Sequence, residues 1–220
     1  MHVSPSSDAD RATAAPGDLS TRRPVLVLVG PSGAGKSALV AELARLGAVT
    51  VHPTWTTRPP RPDELDGCPE HRFVSERGFD HLAEAGFFCD VVRPFDGAHR
   101  YGFARLPRRP AGPPAAVETI DTVLLRATYL DRVGGRIGPL VVYHVDAPVP
   151  VLAARLAARG TGPEEIAARL AFDLADTVLG RRSADRILPN DGTLASLVAR
   201  TLAALASDFG AADTRAGSAA

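Results

Sequence analysis

Short apolar runs alternate with segments of helical spacing along the middle of this chain. Val25-Leu26-Val27-Leu28-Val29 is continuous and β-branched, which predicts a strand buried on both faces. Ser37 to Leu43 has the apolar spacing of a helix, and Val49 to His52 reads as a second strand. The proline-rich segment Thr54 to Gly67 is unsuited to a helix. His71 to Val74 is expected to be a short strand, Glu76 to Ala85 a helix stopped by Gly86, and Phe87 to Val92 a strand. Asp96-Gly97 marks a turn leading into His99 to Phe103, and four prolines between 107 and 114 make a connector.

Beyond the connector, Ala115 to Glu118 is expected to be a strand with an acid at its end. Asp121 to Arg132 is expected to be a helix stopped by Gly134-Gly135. Leu140 to Val145 predicts a core strand and Pro148 to Arg159 a helix ended by Gly160. Thr161 and Glu164 have capping-box spacing, opening a helix to about Leu179. Ile187-Leu188 is a short last strand, and Thr193 to Ala206 the final helix. The alternation as a whole predicts an α/β domain built on a parallel sheet. Residues 1–23 and 210–220, rich in small and polar residues without periodicity, are expected to be disordered arms around a domain spanning 24–209.

Composition narrows the function classes. With 220 residues, 45% of them hydrophobic, the chain is long enough for one full core. The formal net charge is zero, so no basic surface argues for nucleic acid or an anionic membrane as partner. No apolar run approaches the ~18–20 residues of a membrane span, and the first 23 residues lack the apolar centre of a signal peptide. Cys68 and Cys89 show neither disulfide nor zinc spacing, which suits a reducing compartment. The expectation is a soluble, cytoplasmic monomer or homodimer acting on small molecules. His52, His81 and His144 show no metal-ligand spacing, and Trp55 is expected to pack at a lobe hinge.

Candidate chemistry begins at Gly30-Pro31-Ser32-Gly33-Ala34-Gly35-Lys36-Ser37, between the first strand and the first helix. This is the Gly-x4-Gly-Lys-Ser pattern in which backbone N–H groups and a helix N-terminus cradle phosphates. Its lysine reaches the β/γ-phosphates and its hydroxyl holds Mg²⁺. Lys36 is the only lysine among 25 basic residues, so the compact ammonium is kept where a planar guanidinium fits badly. In an open parallel sheet, ligands sit beyond the carboxyl ends of the strands. The loop, Thr54 to Arg61, Glu118, Asp121 and the Arg159 region are all expected there, with Arg58 and Arg61 holding a second anion through their guanidinium forks.

These motifs resemble the guanylate kinase family. The likeness rests on GPSGAGKS (30–37), TTRPPRPDELDG (56–67), FVSERGF (73–79), Gly86-Phe87-Phe88, Tyr101-Gly102, RLAARGTGPEEIAARLA (155–171) and Asn190-Asp191. It implies a P-loop NTPase fold, a three-layer parallel sheet flanked by helices, with an inserted acceptor-binding lobe over about 54–106 and a lid over about 159–169. It further implies transfer of the γ-phosphoryl of ATP, with Mg²⁺, to a nucleoside monophosphate, GMP first. Arg58, Arg61 and Tyr101 would grip the acceptor phosphate. Thr54 would read the base, and Asp90 or Cys89, depending on where a gap is placed, would take the place of the family's base-reading glutamate. Arg159 and Arg169 would flank the lid, and Asn190 would lie near the adenine.

The chain departs from the family pattern on the acceptor side. His71 stands where the family has a phosphate-binding tyrosine, Phe103 where it has a hydroxyl, and Glu118-Thr119-Ile120-Asp121 where it has Asp-x-Asp and a glycine. Glu70-His71 with Val74-Ser75, and Asn190 to Leu194, are instead similar to ribose 1,5-bisphosphate phosphokinases. A non-catalytic guanylate-kinase-like binding module is a third reading, from a different class, which intact Lys36 and Ser37 disfavour.

Overall fold

The computed structural model describes residues 24–61, 64–65, 67–93, 97–106 and 119–209. In chain order the elements are β1 (Val25–Val29), α1 (Lys36–Arg45), β2 (Val49–Val51), β3 (Thr54–Thr56), β4 (His71–Phe73), α2 (Glu76–Glu84), β5 (Phe88–Val92), β6 (Tyr101–Ala104) and β7 (Ile120–Leu124). A 3-10 turn (Ala127–Tyr129) then leads to α3 (Leu130–Ile137), β8 (Leu140–Asp146), α4 (Val149–Ala158), α5 (Pro163–Ser183), β9 (Arg186–Pro189) and α6 (Leu194–Phe209).

β1 is the centre of a parallel sheet of order β2-β7-β1-β8-β9 among the described residues. All five of its side chains are buried, and their alternation divides them between two cores. Leu26 and Leu28 pack with Leu39, Val40 and Leu43 of α1 and Leu197 of α6. Val25, Val27 and Val29 pack with Leu130, Val133 and Ile137 of α3. Each such side chain contributes about 1.5–3 kcal/mol by leaving water. The result is helices on both faces of a parallel sheet, as the alternating pattern predicts. Among the described residues no helix is long and apolar enough to cross a membrane.

A second, mixed sheet of order β4-β3-β6-β5 carries the segment after β2. Its outer side is aromatic. Trp55 meets Phe87 edge-on at 5.1 Å, and Phe79 of α2 stacks on Phe88 at 4.7 Å. Ser75 starts α2 by accepting the Gly78 N–H. Trp55 is thus a strand residue of this second sheet.

Several elements differ from the sequence reading. The strand after the connector is Ile120–Leu124, so Asp121, expected to open a helix, lies inside β7. The run 120–125 fits either period; register with Leu26 to Leu28 of β1 decides for strand. Asp121 therefore lies near the amino end of β7, 2.7 Å from His52 Nε2, away from the carboxyl edge where it was expected. Gly134-Gly135 lies within α3, which ends at Gly138. The helix after α4 is capped by the Gly162 backbone and not by Thr161, because Pro163 sets its first turn. Glu118, with the strand expected over 115–118, most of the proline connector and both terminal arms, lies outside the described residues.

His144 on β8 is fully buried and neither ring nitrogen has a hydrogen-bond partner. Burial holds its pKa below the usual value, against the pull of Asp146. The folded state thus keeps it neutral while the unfolded chain takes a proton below about pH 6.5, so this contribution to stability is lost as pH falls. We expect Tm to drop between pH 7 and 5.5, and the drop to shrink in His144→Leu. Parallel pH profiles for the two proteins would assign the loss to other groups.

Candidate active site

The loop Gly30 to Ser37 leaves the carboxyl end of β1 and enters α1 at Lys36. Two glycines permit its path. Gly30 has φ 141°, and a Cβ there would lie 2.3 Å from the Val145 carbonyl oxygen. Gly35 is left-handed at φ 97°, with a Cβ position 2.5 Å from Asn190 Nδ2. No L side chain fits either place. Asn190 braces the loop from behind, donating to the Ala34 carbonyl at 2.7 Å. Arg155 joins it, donating to the carbonyls of Gly33 at 3.3 Å and Asn190 at 3.1 Å.

Lys36 folds back over this loop, its Nζ donating to the carbonyls of Gly30 at 2.7 Å and Pro31 at 3.0 Å. Burial pushes its pKa down, opposed by the carboxylates of Glu70 and Asp173. Asp173, on α5, accepts the Ser32 N–H at 2.7 Å and pairs with Arg126 at 2.8 Å. Those hydrogen bonds outweigh its burial and keep its carboxyl below the usual range.

The opposite wall is the inner face of the lobe. Cross-strand register sets His71, Thr54, Phe103 and Asp90 in one row across β4, β3, β6 and β5, and Phe73, Thr56, Tyr101 and Val92 in the next. The Thr54 hydroxyl lies 2.7 Å from His71 Nδ1 and donates to the Glu70 carbonyl at 3.2 Å. Burial lowers the His71 pKa, so the imidazole is neutral at pH 7. Glu64 organises the arginines: it takes a two-pronged fork from Arg58, 2.9 Å on each side, and the Arg61 N–H at 2.7 Å. Arg58 Nε donates to the Tyr101 hydroxyl at 3.2 Å. Ser37 Oγ joins the walls directly, donating to Glu70 Oε1 at 2.6 Å.

A single cleft brings most of the sequence-predicted residues together. Gly30, Ser32, Gly33, Gly35, Lys36 and Ser37 line one side, Thr54, Arg61, His71 and Tyr101 the other, and Arg159 and Arg169 the edge. Arg169 is ion-paired with Glu165. Pro31, Ala34 and Asn190 are buried and do not line it. Asn190 braces the loop, its amide donating to Ala34. Arg58 acts through Glu64 and Tyr101, behind the lining. Asp90, which takes the register position with Cys89 set off by a bulge, points at Arg132 and Arg136 of α3. Sequence reasoning missed Glu64, Glu70, Arg126, Arg155 and Asp173. Glu64 and Glu70 lay within the motif-bearing run; Arg126 and Asp173, 47 residues apart, carry no local signal.

Residues 21–102 match the family model described as guanylate kinase. The guanylate kinase of Frankia casuarinae is 38% identical over 149 residues, covering 66% of this chain and 77% of that protein. That of Mycolicibacterium paratuberculosis is 33% identical over 170 residues, covering 76% and 74%. The chain belongs to the guanylate kinase family. A crystal structure of the guanylate kinase from Anaplasma phagocytophilum shares the fold, with a TM-score of 0.55 at 17% identity over 85% of this chain and 86% of that one. The family model takes in the phosphate loop and the Arg58–Arg61 segment of this chain, while Arg126, Arg155, Asp173 and Asn190 lie beyond it.

Asn190→Ala removes a buried hydrogen bond and leaves the Ala34 carbonyl only the longer contact from Arg155, at 3.4 Å. Urea unfolding is expected to show a loss of about 1–3 kcal/mol, together with weaker ATP binding. Unchanged stability and unchanged ATP affinity would show that the loop holds its shape without this brace.

Proposed function

We propose that this chain transfers the γ-phosphoryl group of ATP to GMP. The observation that carries the reading is that a phosphate-binding loop and an arginine-tyrosine-histidine constellation face each other across one cleft. Its relatives, named as guanylate kinases, supply the acceptor. They lend no support to a ribose 1,5-bisphosphate acceptor, and a binding module has no need of the intact Lys36 and Ser37.

The donor side is the loop, whose N–H groups and helix N-terminus take the phosphates of ATP. The Lys36 ammonium already bonds to carbonyl oxygens beside them. Arg159 and Arg169 add positive charge where the transferring group spreads negative charge over its oxygens. On the acceptor side, Arg61 and Tyr101 hold the GMP phosphate, with Arg58 setting the Tyr101 hydroxyl and Glu64 setting both arginines. Neutral His71 adds a hydrogen bond without a further charge. Positioning and charge neutralisation are what such a transfer needs, and the lobe and lid exclude the water that would hydrolyse ATP.

The residues fit magnesium. The Ser37 hydroxyl and the Glu70 carboxylate are hard oxygen donors 2.6 Å apart, and side-chain atoms of Glu64, Glu70 and His71 all lie within 4.8 Å of one another. Glu64 is committed to arginines, so Ser37 and Glu70 are the groups that would hold the ion. Bound there, it neutralises phosphate charge. The cytoplasm, which supplies both nucleotides and keeps Cys68 and Cys89 reduced, is the compartment this activity suits.

With ATP, Mg²⁺ and GMP, wild type is expected to release ADP in proportion to GMP consumed. Lys36→Ala should lower kcat by at least roughly 10²-fold. Arg58→Ala should instead raise KM for GMP roughly tenfold, because it disorganises Tyr101 and Glu64. No GMP-dependent ADP release from wild type would refute the acceptor assignment.

A further inference from the structure

The usual arrangement of a surface helix is reversed in α5. Its buried residues are Asp173, Asp176 and Gly180, while every exposed position between Glu165 and Arg181 is apolar. Leu174, Val178 and Leu179 are 64%, 49% and 40% exposed. α2 shows the ordinary pattern, with Glu76, Arg77, Asp80 and Glu84 outside and Phe79 within. The cleft explains the inner acids of α5. Asp173 holds Ser32 and Arg126, and Asp176 accepts the Thr128 N–H and hydroxyl, each at 3.1 Å. The apolar outer side serves no contact among the described residues, and contiguous exposed apolar surface marks a docking face.

Charge identifies the occupant of that face. Glu164 and Arg182 stand at its two ends, 18 residues apart. That is about five full turns, so the two side chains leave the helix on the same side. Among the described residues neither makes an ion pair, whereas Glu165 is held by Arg169 and Arg181 by Asp146. Between them Ala168, Ala171, Ala175 and Val178 follow at alternating steps of three and four, the spacing of a helix-pairing seam. The seam is also self-complementary. Turned end for end about Asp173, it lays Glu164 on Arg182, Ala168 on Val178 and Ala171 on Ala175. A single surface that matches its own reverse is what a two-fold axis requires.

We propose that the outer face of α5 is the two-fold interface of a homodimer, packed antiparallel on α5 of a second copy. Leu174, Val178 and Leu179 leave water between the two helices, and a Glu164–Arg182 pair closes each end. The alanines of the seam let the two backbones approach closely. A helix of 21 residues offers a strip about 31 Å long. That is at the small end of specific interfaces, so association belongs in the micromolar range. The cleft stays open in this dimer. Arg169 and Asp173, the residues of α5 that line it, lie on the far side of the helix from the seam. The inference goes beyond the phosphoryl transfer and does not depend on the acceptor.

Sedimentation equilibrium of the full chain, from about 1 to 200 µM, is expected to show a mass rising from 23.0 kDa toward twice that value. Leu174→Glu should stay monomeric throughout with its Tm unchanged, and Ala171→Glu repeats the comparison should the first variant fold poorly. Glu164→Arg and Arg182→Glu should each weaken association roughly five- to tenfold. Both exchanges in one chain should restore it, because each new arginine then meets a new glutamate across the axis. A chain that is monomeric at every concentration would overturn the proposal and leave this face to a different protein. A dimer that survives both glutamate variants would place the interface elsewhere. Single exchanges that associate as tightly as wild type, or a double exchange that stays weak, would overturn the antiparallel arrangement.

Discussion

A single half-buried ammonium sets the terms for much of this molecule. Lys36 lines the cleft at the start of α1, where its partial loss of water makes an uncompensated charge costly. Its compensation comes from three separate parts of the chain: the Gly30 and Pro31 carbonyls of the loop, Glu70 of the lobe and Asp173 of α5. Both carboxylates then have a second obligation. Glu70 accepts from Ser37, and Asp173 accepts from Ser32 and Arg126. The cleft is therefore walled by the same groups that make its central charge tolerable.

The lobe follows a similar economy around Glu64. One carboxylate with a 9% exposed side chain fixes Arg58 and the Arg61 backbone, and Arg58 fixes the Tyr101 hydroxyl. Desolvation resists its ionisation but the arginines prevail, keeping its carboxyl below the usual range. The lobe sheet supplies the other constraint. Aromatic packing among Trp55, Phe87, Phe88 and Phe79 takes up its outer side, leaving the inner side to carry His71, Thr54, Tyr101 and Asp90 in register.

What the sequence revealed follows the range of the interactions. β1 and the loop after it were legible because continuous apolar residues, three glycines and a lone lysine act within a dozen positions. The lining roles of Arg61, His71 and Tyr101 followed from a compact motif and a family likeness. Reading failed where partners are distant. Whether 120–124 is strand or helix is decided by β1, nearly a hundred residues earlier, and not by its own period. Asn190 was singled out by its motif, but its bracing of the loop was not legible, because only the fold shows its amide turned to Ala34. Asp173 and Arg126 lack any local pattern, since their value lies in meeting each other and the Ser32 N–H.

The brace at Asn190 bears on how the protein is made. The loop occupies residues 30–37, yet the hydrogen bond that backs it spans 156 positions in the chain. Asn190 follows β9, which among the described residues pairs only with β8. During synthesis the loop therefore emerges long before its support, and β1 and α1 can pack while Gly33 to Gly35 still lack their backing. Closure of so long a separation carries a loop entropy that local elements do not face. The nucleotide cradle can receive its backing only after Asn190 has been made.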